Sequence, residues 1–484
     1  MLLNIDYLLP EIFLSIVSVL LIGYGVVLSR IGSKLSQLKK MTNLTSFSFL
    51  LTALLLLDQI SISGRVEISN GLLVTDQSIV FIKLILVISS AIILILPNQL
   101  KDYEFSQLVL LSLLGMMILI SSNDLIMMYL GIELMSLSFY VLASINRNTQ
   151  HSTEAGIKYF LLGALSSGLL LFGMALVYAY TGETNLEAIS SIVWYANTPE
   201  IVIGALFISI ALLFKLGAAP FHMWLPDVYE GSPTIVTAFF AIVPKISILF
   251  TLANLLSGPF LGIWETIQPL FIVCAILSLI VGAIGAINQG KIKRLISYSA
   301  ISHVGFLLIG IIPLSFLSIQ ATLIYITLYI IMSLNTFTLL INFSQHNYIS
   351  QFSGLSRSNI ILALTFTFTL LSIAGIPPLA GFFSKYLVLI NAIENQFYLL
   401  SFIAVITSAI STFYYLRLIK WIFFNDSSVY IYKDLGDTIL PLKVKINSTS
   451  TYVLGFTIFL ILTFMIFPES LTSWSYVALS SKLI

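Results

Sequence analysis

The sequence predicts an all-α polytopic membrane protein. Hydrophobic residues make up 58% of the 484 positions and charged residues only 9%, whereas a soluble domain carries about 25% charged residues. Apolar stretches of about twenty residues, each long enough to cross a bilayer as a helix, recur from end to end. Helices are expected because lipid offers the backbone no hydrogen-bond partners, and the polar–apolar alternation typical of a membrane barrel is missing.

The apolar stretches predict about fourteen transmembrane helices. Their expected limits are 7–29, 41–57, 77–97, 106–121, 123–143, 157–180, 201–225, 232–256, 265–287, 293–313, 316–343, 359–390, 396–420 and 450–474. The longest polar connection, FNDSSVYIYKDLGDTILPLKVKINSTS, precedes the last span. The basic residues follow the first apolar run rather than precede it, so an uncleaved first span is expected and not a signal peptide.

The span order suggests four segments along the chain. They are an N-terminal three-helix segment (1–105), a first five-helix repeat (106–256), a second five-helix repeat (265–420), and a polar loop with the C-terminal helix (421–484). Because each repeat has an odd number of spans, the two are expected to be inverted with respect to each other in the membrane.

The loop charges predict the orientation. One side receives sixteen of the 22 basic residues: Arg30, Lys34, Lys39, Lys40, Lys101, Arg147, Lys158, Lys291, Lys293, Arg294, Arg357, Arg417, Lys420, Lys433, Lys443 and Lys445. The other side receives only Arg65 and Lys482. By the positive-inside rule the basic side faces the cytoplasm or matrix, and both termini lie on the opposite side.

Several kinds of site are not expected. The single cysteine, Cys274, excludes an internal disulfide and thiolate-ligated clusters or zinc. The four histidines are scattered, so no metal site is predicted, and no glycine-rich nucleotide motif is present. A net charge of +1 argues against nucleic acid as a partner.

Four basic residues remain inside the predicted spans once the loop residues are assigned, Lys83, Lys215, Lys245 and Lys385, and two acids join them, Glu11 and Glu133. A charge at the bilayer centre costs at least ~2.5–3.5 kcal/mol, so such residues usually face the protein interior and serve a pathway or a pair. Lys83 lies near a span end, and its stem is expected to snorkel to the interface. Glu11 follows a proline at a span start and is expected to cap that helix.

The other four residues predict a proton-carrying role. A structural Glu133–Lys215 pair would explain two of them, but it leaves Lys245 and Lys385 without acidic partners in any span. Burial favours the neutral amine, so a buried lysine can exchange a proton near neutral pH. Glu133 and Lys215 are expected to approach within ion-pair distance or through one water. Lys245 is expected in a polar interior that links the two halves.

Two spans carry helix breakers. The first break contains Gly217, Pro220 and Pro226, and the second contains Gly375, Pro377, Pro378 and Gly381. Proline removes an intrahelical hydrogen bond, and the groups it frees need water or side chains. Each break lies within about two turns of a lysine, and each falls in the fourth span of its repeat, in spans seven and twelve. Interrupted helices at matching places in two halves indicate a transport site.

Two histidines lie near these features. His303 lies in span ten among serines and a tyrosine, and histidine titrates near neutrality, so it is a candidate extension of the proton route. A neutral, hydrogen-bonded packing histidine is the alternative. His222 directly follows the first break and is interpreted as a structural or wall-lining residue.

Five segments resemble the antiporter-like family of proton-translocating membrane subunits. They are NDLIMMYLGIELMSLSFYVL, STEAGIKYFLLGALSSGLLLFG, FKLGAAPFHMWLPDVYEGSPT, KIKRLISYSAISHVGF and AGIPPLAGFFSKYLVL. The PFHMWLPDVYEGSPT block is specific to this family. Within it, the subunit 2 branch of respiratory complex I resembles the chain most, strongly over about residues 100–420 and by length over the whole chain.

The resemblance implies a core membrane-arm subunit of complex I, which couples NADH oxidation by ubiquinone to proton pumping. It implies that Glu133 and Lys215 are the interacting pair, Lys245 the central relay and Lys385 the lysine of the second half-channel. Lys83 has no familiar counterpart in the family. NADH, FMN, the iron–sulfur clusters and ubiquinone would be bound by other subunits, so this chain itself is expected to hold no cofactor.

The partners implied are other membrane-arm subunits, including neighbouring antiporter-like subunits, and membrane lipids. Richness in Ile, Leu, Ser, Phe and Asn suggests an AT-rich organelle genome and hence the mitochondrial inner membrane, with a bacterial plasma membrane or a thylakoid as alternatives. The alternative functions are a subunit of a multi-subunit cation/proton antiporter, a subunit of the plastid relative of complex I, and a purely structural scaffold.

Overall fold

The computed structural model describes residues 5–29, 34–62, 64–97, 100, 102–195, 198–343, 347–424 and 447–480. These residues are mostly helical. Twelve described helices are long and apolar enough to cross a membrane, and 360–374 and 448–463 form shorter apolar helices. The all-α membrane fold is confirmed, while the count of about fourteen spans stays a prediction. The polar connection at 425–446 and the loop residues Arg30, Lys101 and Lys482 lie outside the described residues.

The N-terminal segment consists of three helices and a short antiparallel hairpin. Its elements are α1 (Leu9–Ser29), α2 (Lys34–Asp58), β1 (Val66–Ile68), β2 (Leu73–Thr75) and α3 (Gln77–Ile95). Asp76 ends the hairpin and starts α3, because its Oδ1 atom accepts a 2.7 Å hydrogen bond from the Ile79 amide and so caps the helix.

The middle of the chain has two successive runs of helices in a similar order. The first run is α4 (Glu104–Ser121), α5 (Leu125–Ala143), α6 (Gln150–Thr181), α7 (Leu186–Tyr195), α8 (Pro199–Leu216), α9 (Trp224–Gly231) and α10 (Thr234–Ser257). The second run is α11 (Trp264–Ile287), α12 (Ile292–Ile311), α13 (Phe316–Asn342), α14 (Leu355–Ser358), α15 (Ile360–Ala374), α16 (Ala380–Glu394) and α17 (Tyr398–Phe424). In each run three long helices precede a short helix, a broken span and a final long helix.

The end of the chain differs from the expected single span at 450–474. Helix α18 (Ser448–Thr463) ends early, and α19 (Glu469–Ser480) begins after a turn that contains Pro468. Proline lacks the amide hydrogen that a continuous helix would need there, so the expectation of one unbroken helix was wrong. Helix α19 instead lies against α13, where Gln320 Nε2 donates a 3.0 Å hydrogen bond to the carbonyl of Thr472.

Helices α10 and α13 form the centre of the molecule. Both are buried along almost their whole length, and they pack against each other. Helix α10 also contacts α3, α4 and α8, while α13 contacts α15, α16 and α18. Polar groups on these two helices are therefore shielded from lipid on every side by the rest of the chain.

Ion pairs join the short helix α9 to the second run. Asp227 pairs with Lys158 at 2.9 Å and with Arg294 at 3.1 Å, and Glu230 pairs with Lys291 and, at 3.3 Å, with Arg294. The carboxylates belong to the DVYEGSP segment, whereas Lys291 directly precedes α12 and Arg294 lies in its first turn. This network fixes the far half of the first broken span against the second run of helices.

The structure corrects the expectations for Lys83 and Glu11. Lys83 is 1% exposed and does not reach an interface, because its Nζ atom donates a 2.5 Å hydrogen bond to Glu11 Oε1. Glu11 does lie in the first turn of α1, but its carboxylate is turned to Lys83 instead of capping the helix. A buried charge with a close partner of opposite sign needs no route to water.

This pair predicts a specific pattern of stability. Lys83→Met should lower the thermal stability of the assembled chain strongly, by an amount on the order of 3–5 kcal/mol, because it leaves the Glu11 carboxylate buried and unpaired. The double variant Glu11→Gln/Lys83→Met should recover much of that loss. The measurement is the thermal inactivation midpoint of the purified assembly. A double variant that is less stable than Lys83→Met alone would contradict this role for the pair.

Candidate functional site

The first broken span is closed by a glycine and a tryptophan. Helix α8 ends at Gly217, whose φ of 77° is accessible to glycine at little cost. The amide of Ala218 donates to the carbonyl of Leu213 at 3.0 Å, which is the arrangement of a Schellman cap. The carbonyl of Phe214 accepts a 3.0 Å hydrogen bond from the Gly217 amide and a second one, also 3.0 Å, from the indole Nε1 of Trp224 at the start of α9. The break therefore leaves few backbone groups without a hydrogen bond.

The second broken span has the same construction with a lysine in place of the tryptophan. Helix α15 ends at Gly375 with φ of 85°, and the amide of Ile376 donates to the carbonyl of Leu371 at 3.1 Å. The Nζ atom of Lys385, on α16, donates to the freed carbonyl of Ala374 at 2.7 Å. A cation at a helix C-terminus also interacts favourably with the helix dipole.

The expected helix breaks are thus confirmed. Helical hydrogen bonding stops at Leu216 and resumes at Trp224, and it stops at Ala374 and resumes at Ala380. Pro220, Pro377 and Pro378 lie within these interruptions. Pro226 lies within the first turn of α9, where a helix tolerates proline.

A small interior cavity joins Lys215 to Lys245. Lys215 lies in the last turn of α8, next to the first break, and Lys245 follows Pro244 inside α10. Both side chains line an enclosed space of about 20 Å³. A polar cavity of this size holds about one water molecule. We call this space the lysine cavity.

Glu133 lies near Lys215 but does not touch it. Its Oε2 atom accepts a 3.4 Å hydrogen bond from Ser136, and its Oε1 atom is buried without a hydrogen-bond partner in the described part of the chain. The carboxylate is close enough to Lys215 for an electrostatic interaction, yet no ion pair within 4.0 Å joins the two described side chains. Direct contact is absent in this conformation, and the expected contact through one water stays a prediction.

Lys245 has the interior position that was expected for it. It is 3% exposed, and its Nζ atom donates a 3.1 Å hydrogen bond to the hydroxyl of Tyr329 on α13. The ammonium nitrogen also lies 4.8 Å from the centre of the Tyr329 ring, within cation–π range. Lys245 therefore connects the lysine cavity in the first run of helices to a tyrosine in the second run.

His303 continues this line of polar groups. Its ring lies 5.2 Å from that of Tyr329, and its Nδ1 atom makes a 2.7 Å hydrogen bond with the hydroxyl of Tyr325. Phe306 follows His303 by one turn of α12, and the centre of its ring lies 5.1 Å from the Nζ atom of Lys385. Both Lys245 and Lys385 are close enough to His303 to interact with it electrostatically.

The structure therefore brings Lys215, Lys245, His303 and Lys385 into one interior line, with Glu133 beside its first member. Within the described residues, Lys245 and Lys385 have no carboxylate in ion-pair contact, only neutral hydrogen-bond acceptors. His222 lies in the first break, 7% exposed, and does not line the lysine cavity.

Sequence reasoning missed Tyr325 and Tyr329, which link Lys245 to His303. They are four residues apart on α13, so they share one helix face. Paired tyrosines at this spacing in the middle of an apolar span were the available signal. Which face they occupy depends on how α13 packs against α10 and α12, and that packing cannot be read from the spacing alone.

Curated relatives match almost the whole chain. The NADH-ubiquinone oxidoreductase chain 2 of Marchantia polymorpha is 40% identical, over 96% of this chain and 96% of the relative. The NADH-quinone oxidoreductase subunit N of Pelagibacter ubique is also 40% identical, over 97% of this chain and 98% of the relative.

Solved structures show the same fold. A chain of respiratory complex I from Thermus thermophilus with bound aureothin matches with a TM-score of 0.81 and 27% identity, over 96% of this chain and 99% of that chain. A chain of the Mrp complex from Dietzia matches with a TM-score of 0.84 over 98% of this chain and 97% of that chain, but at 19% identity, so it shows the fold alone.

Residues 122–411 match the family described as "NADH:quinone oxidoreductase/Mrp antiporter, TM". That range contains both broken spans and the whole interior line from Glu133 to Lys385. With relatives at 40% identity over nearly their full length, the chain belongs to this family of multi-pass membrane proteins.

Proposed function

We propose that this chain is a membrane-arm subunit of a proton-translocating NADH:quinone oxidoreductase of the complex I type. In this proposal Glu133, Lys215, Lys245 and Lys385 carry protons, and His303 is a further relay between the last two lysines. The observation that carries the proposal is the interior line of proton-holding groups that runs from one broken span to the other through Lys245.

Each member of the line has a distinct task. Lys215 exchanges a proton with the lysine cavity, and the nearby Glu133 favours its charged form. Lys245 receives that proton through the cavity and offers it to Tyr329 and His303. Lys385 holds a proton against the freed carbonyl of Ala374 and hands it on at the second break. Tyrosine hydroxyls both donate and accept hydrogen bonds, so they can bridge groups that do not touch.

The remaining assignments follow from the same proposal. NADH, FMN, iron–sulfur clusters and ubiquinone belong to other subunits, so this chain holds no redox centre of its own. Its partners are the other membrane-arm subunits, including neighbouring antiporter-like subunits, and lipids. The location is the mitochondrial inner membrane, with the basic loops on the matrix side and both termini on the opposite side.

The two similar runs of helices support the proposed division into two half-channels. The segments are 1–105, 106–256, 265–420 and 421–484, as the span order suggests. In the two middle segments the broken span holds the same place, directly before the last long helix. Matching interrupted helices in two halves are typical of transporters built from inverted repeats.

The central prediction concerns Lys215→Met. Methionine is similar in length and suits apolar surroundings, and Glu133 can take up a proton when its partner is removed, so the complex should assemble. Because the variant cannot hold a proton, NADH:quinone turnover and proton pumping should both fall, by about tenfold or more. The measurement is both activities in membranes with matched complex content.

Two controls make this result decisive. Lys40→Met changes an exposed lysine on α2 in the same way and should leave both activities unchanged. Electron input from NADH to an artificial acceptor should stay normal in both variants, because that chemistry belongs to other subunits. Normal quinone turnover and pumping in Lys215→Met would favour the scaffold alternative.

A second prediction distinguishes the role of Lys245 from that of Tyr329, its hydrogen-bond partner. Lys245→Met should stop proton transfer between the halves, whereas Tyr329→Phe keeps the ring and removes only the hydroxyl. We expect the lysine variant to lose at least tenfold in coupled turnover and the tyrosine variant to lose less, because water can replace a hydroxyl relay in part. The matched control is Tyr178→Phe, an exposed tyrosine on α6. Equal activity in Lys245→Met and the wild type would remove Lys245 from the route.

A further inference from the structure

Tyr140 has a buried hydroxyl without a protein partner. The residue lies near the end of α5 and is 8% exposed, and its hydroxyl makes no hydrogen bond with any described group. Ser136 is close enough to interact with it, but the two hydroxyls do not have hydrogen-bond geometry, and that of Ser136 donates to Glu133. Buried tyrosine hydroxyls usually have a partner. The missing partner is therefore expected to be water.

Two separate spaces meet at this residue. On one side is the lysine cavity, which Tyr140 lines together with Lys215 and Lys245. On the other side is a groove of about 1080 Å³ between α4, α5 and α6. Tyr140 is the only described residue that lines both spaces.

The groove has charged and polar residues at the end that lies nearest the loops. It is bordered by the charged side chains of Asp102, Glu104 and Arg147 and by polar residues such as Asn146 and Thr153. These residues lie at the start of α4, in the loop between α5 and α6, and in the first turn of α6, among the basic loops. Charged side chains of both signs attract water, so we expect water to enter the groove from this end and to reach Tyr140.

The Tyr140 ring is held firmly in place. It makes edge contacts with Tyr159, at 5.1 Å between ring centres, and with Phe160, at 5.6 Å. Its hydroxyl lies against Gly163 of α6, where a Cβ atom would come within 2.2 Å of the oxygen. Only a glycine leaves room for the hydroxyl at this point. The ring therefore lies between the groove and the cavity, and its oxygen lies against Gly163, which lines the lysine cavity.

We propose that the Tyr140 hydroxyl is the gate through which protons pass between the groove and the lysine cavity. The hydroxyl accepts a proton from water on the groove side as it gives its own to water on the cavity side. One O–H bond forms and one breaks, so the tyrosine carries no net charge afterwards. The gate rests on the proposed function, because it supplies the proton that Lys215 exchanges.

Two variants at this position distinguish a gate from a packing residue. Tyr140→Phe keeps the ring contacts and removes the hydroxyl, whereas Tyr140→His packs less well but retains a group that can donate and accept a proton. A gate predicts coupled turnover in the order wild type, histidine, phenylalanine, with the phenylalanine variant lower by about tenfold. A purely structural role predicts the opposite order for the two variants.

The measurement is NADH:quinone turnover and proton pumping in membranes with matched complex content, in H₂O and in D₂O. Turnover of Tyr140→Phe should slow more in D₂O than that of the wild type, because proton delivery becomes limiting. Tyr178→Phe, on the exposed face of α6, is the control and should match the wild type. If the histidine variant does not assemble, an unchanged isotope effect in Tyr140→Phe by itself overturns the gate.

The result also separates the gate from the proposed function. Loss of coupled turnover in Lys215→Met with normal turnover in Tyr140→Phe would leave the lysine route intact and place its water entry elsewhere, so the gate alone would be wrong. Normal turnover in both variants would overturn both.

Discussion

The rest of the structure depends on how the backbone carbonyl groups at the two helix breaks are satisfied. Inside an apolar layer an unsatisfied carbonyl is costly, so a helix can end there only where another group meets it. At the first break the indole of Trp224 adds a hydrogen bond to the carbonyl of Phe214, which also accepts from the Gly217 amide, and at the second the ammonium of Lys385 donates to the freed carbonyl of Ala374. Both side chains belong to the half-helix that follows the break. Each broken span is therefore closed by its own second half.

This closure has a consequence for the lysines. Lys215, in the last turn of α8, lines the lysine cavity, and the break places Trp224 in the wall of the same cavity. The ion pairs of Asp227 and Glu230 then hold α9 against α12. The same short helix closes the first break and connects it to the second run, so the two halves are joined where the polar line crosses between them.

The sequence allowed the local features to be predicted but not the contacts between distant segments. Gly217 and Gly375 are each followed within three residues by a proline, and this local combination favours a helix end. A proline alone does not decide it, because Pro244 and Pro269 lie inside continuous helices. Lys83 was misread because its partner, Glu11, lies 72 residues away on another helix. The link from Lys245 through Tyr329 to His303 depends on how three helices face each other, and a single sequence contains no record of that packing.

Carboxylates are unequally distributed along the interior line of lysines and His303, and this affects where positive charge is favoured. Glu133 is the only carboxylate near its members among the described residues, and it lies at the Lys215 end. Lys245, His303 and Lys385 share one interior without a counter-charge, and like charges repel strongly where water is scarce. A proton on one of them therefore disfavours a proton on its neighbours. In the proposed proton route, a proton delivered at the Lys215 end would therefore displace positive charge toward the Lys385 end.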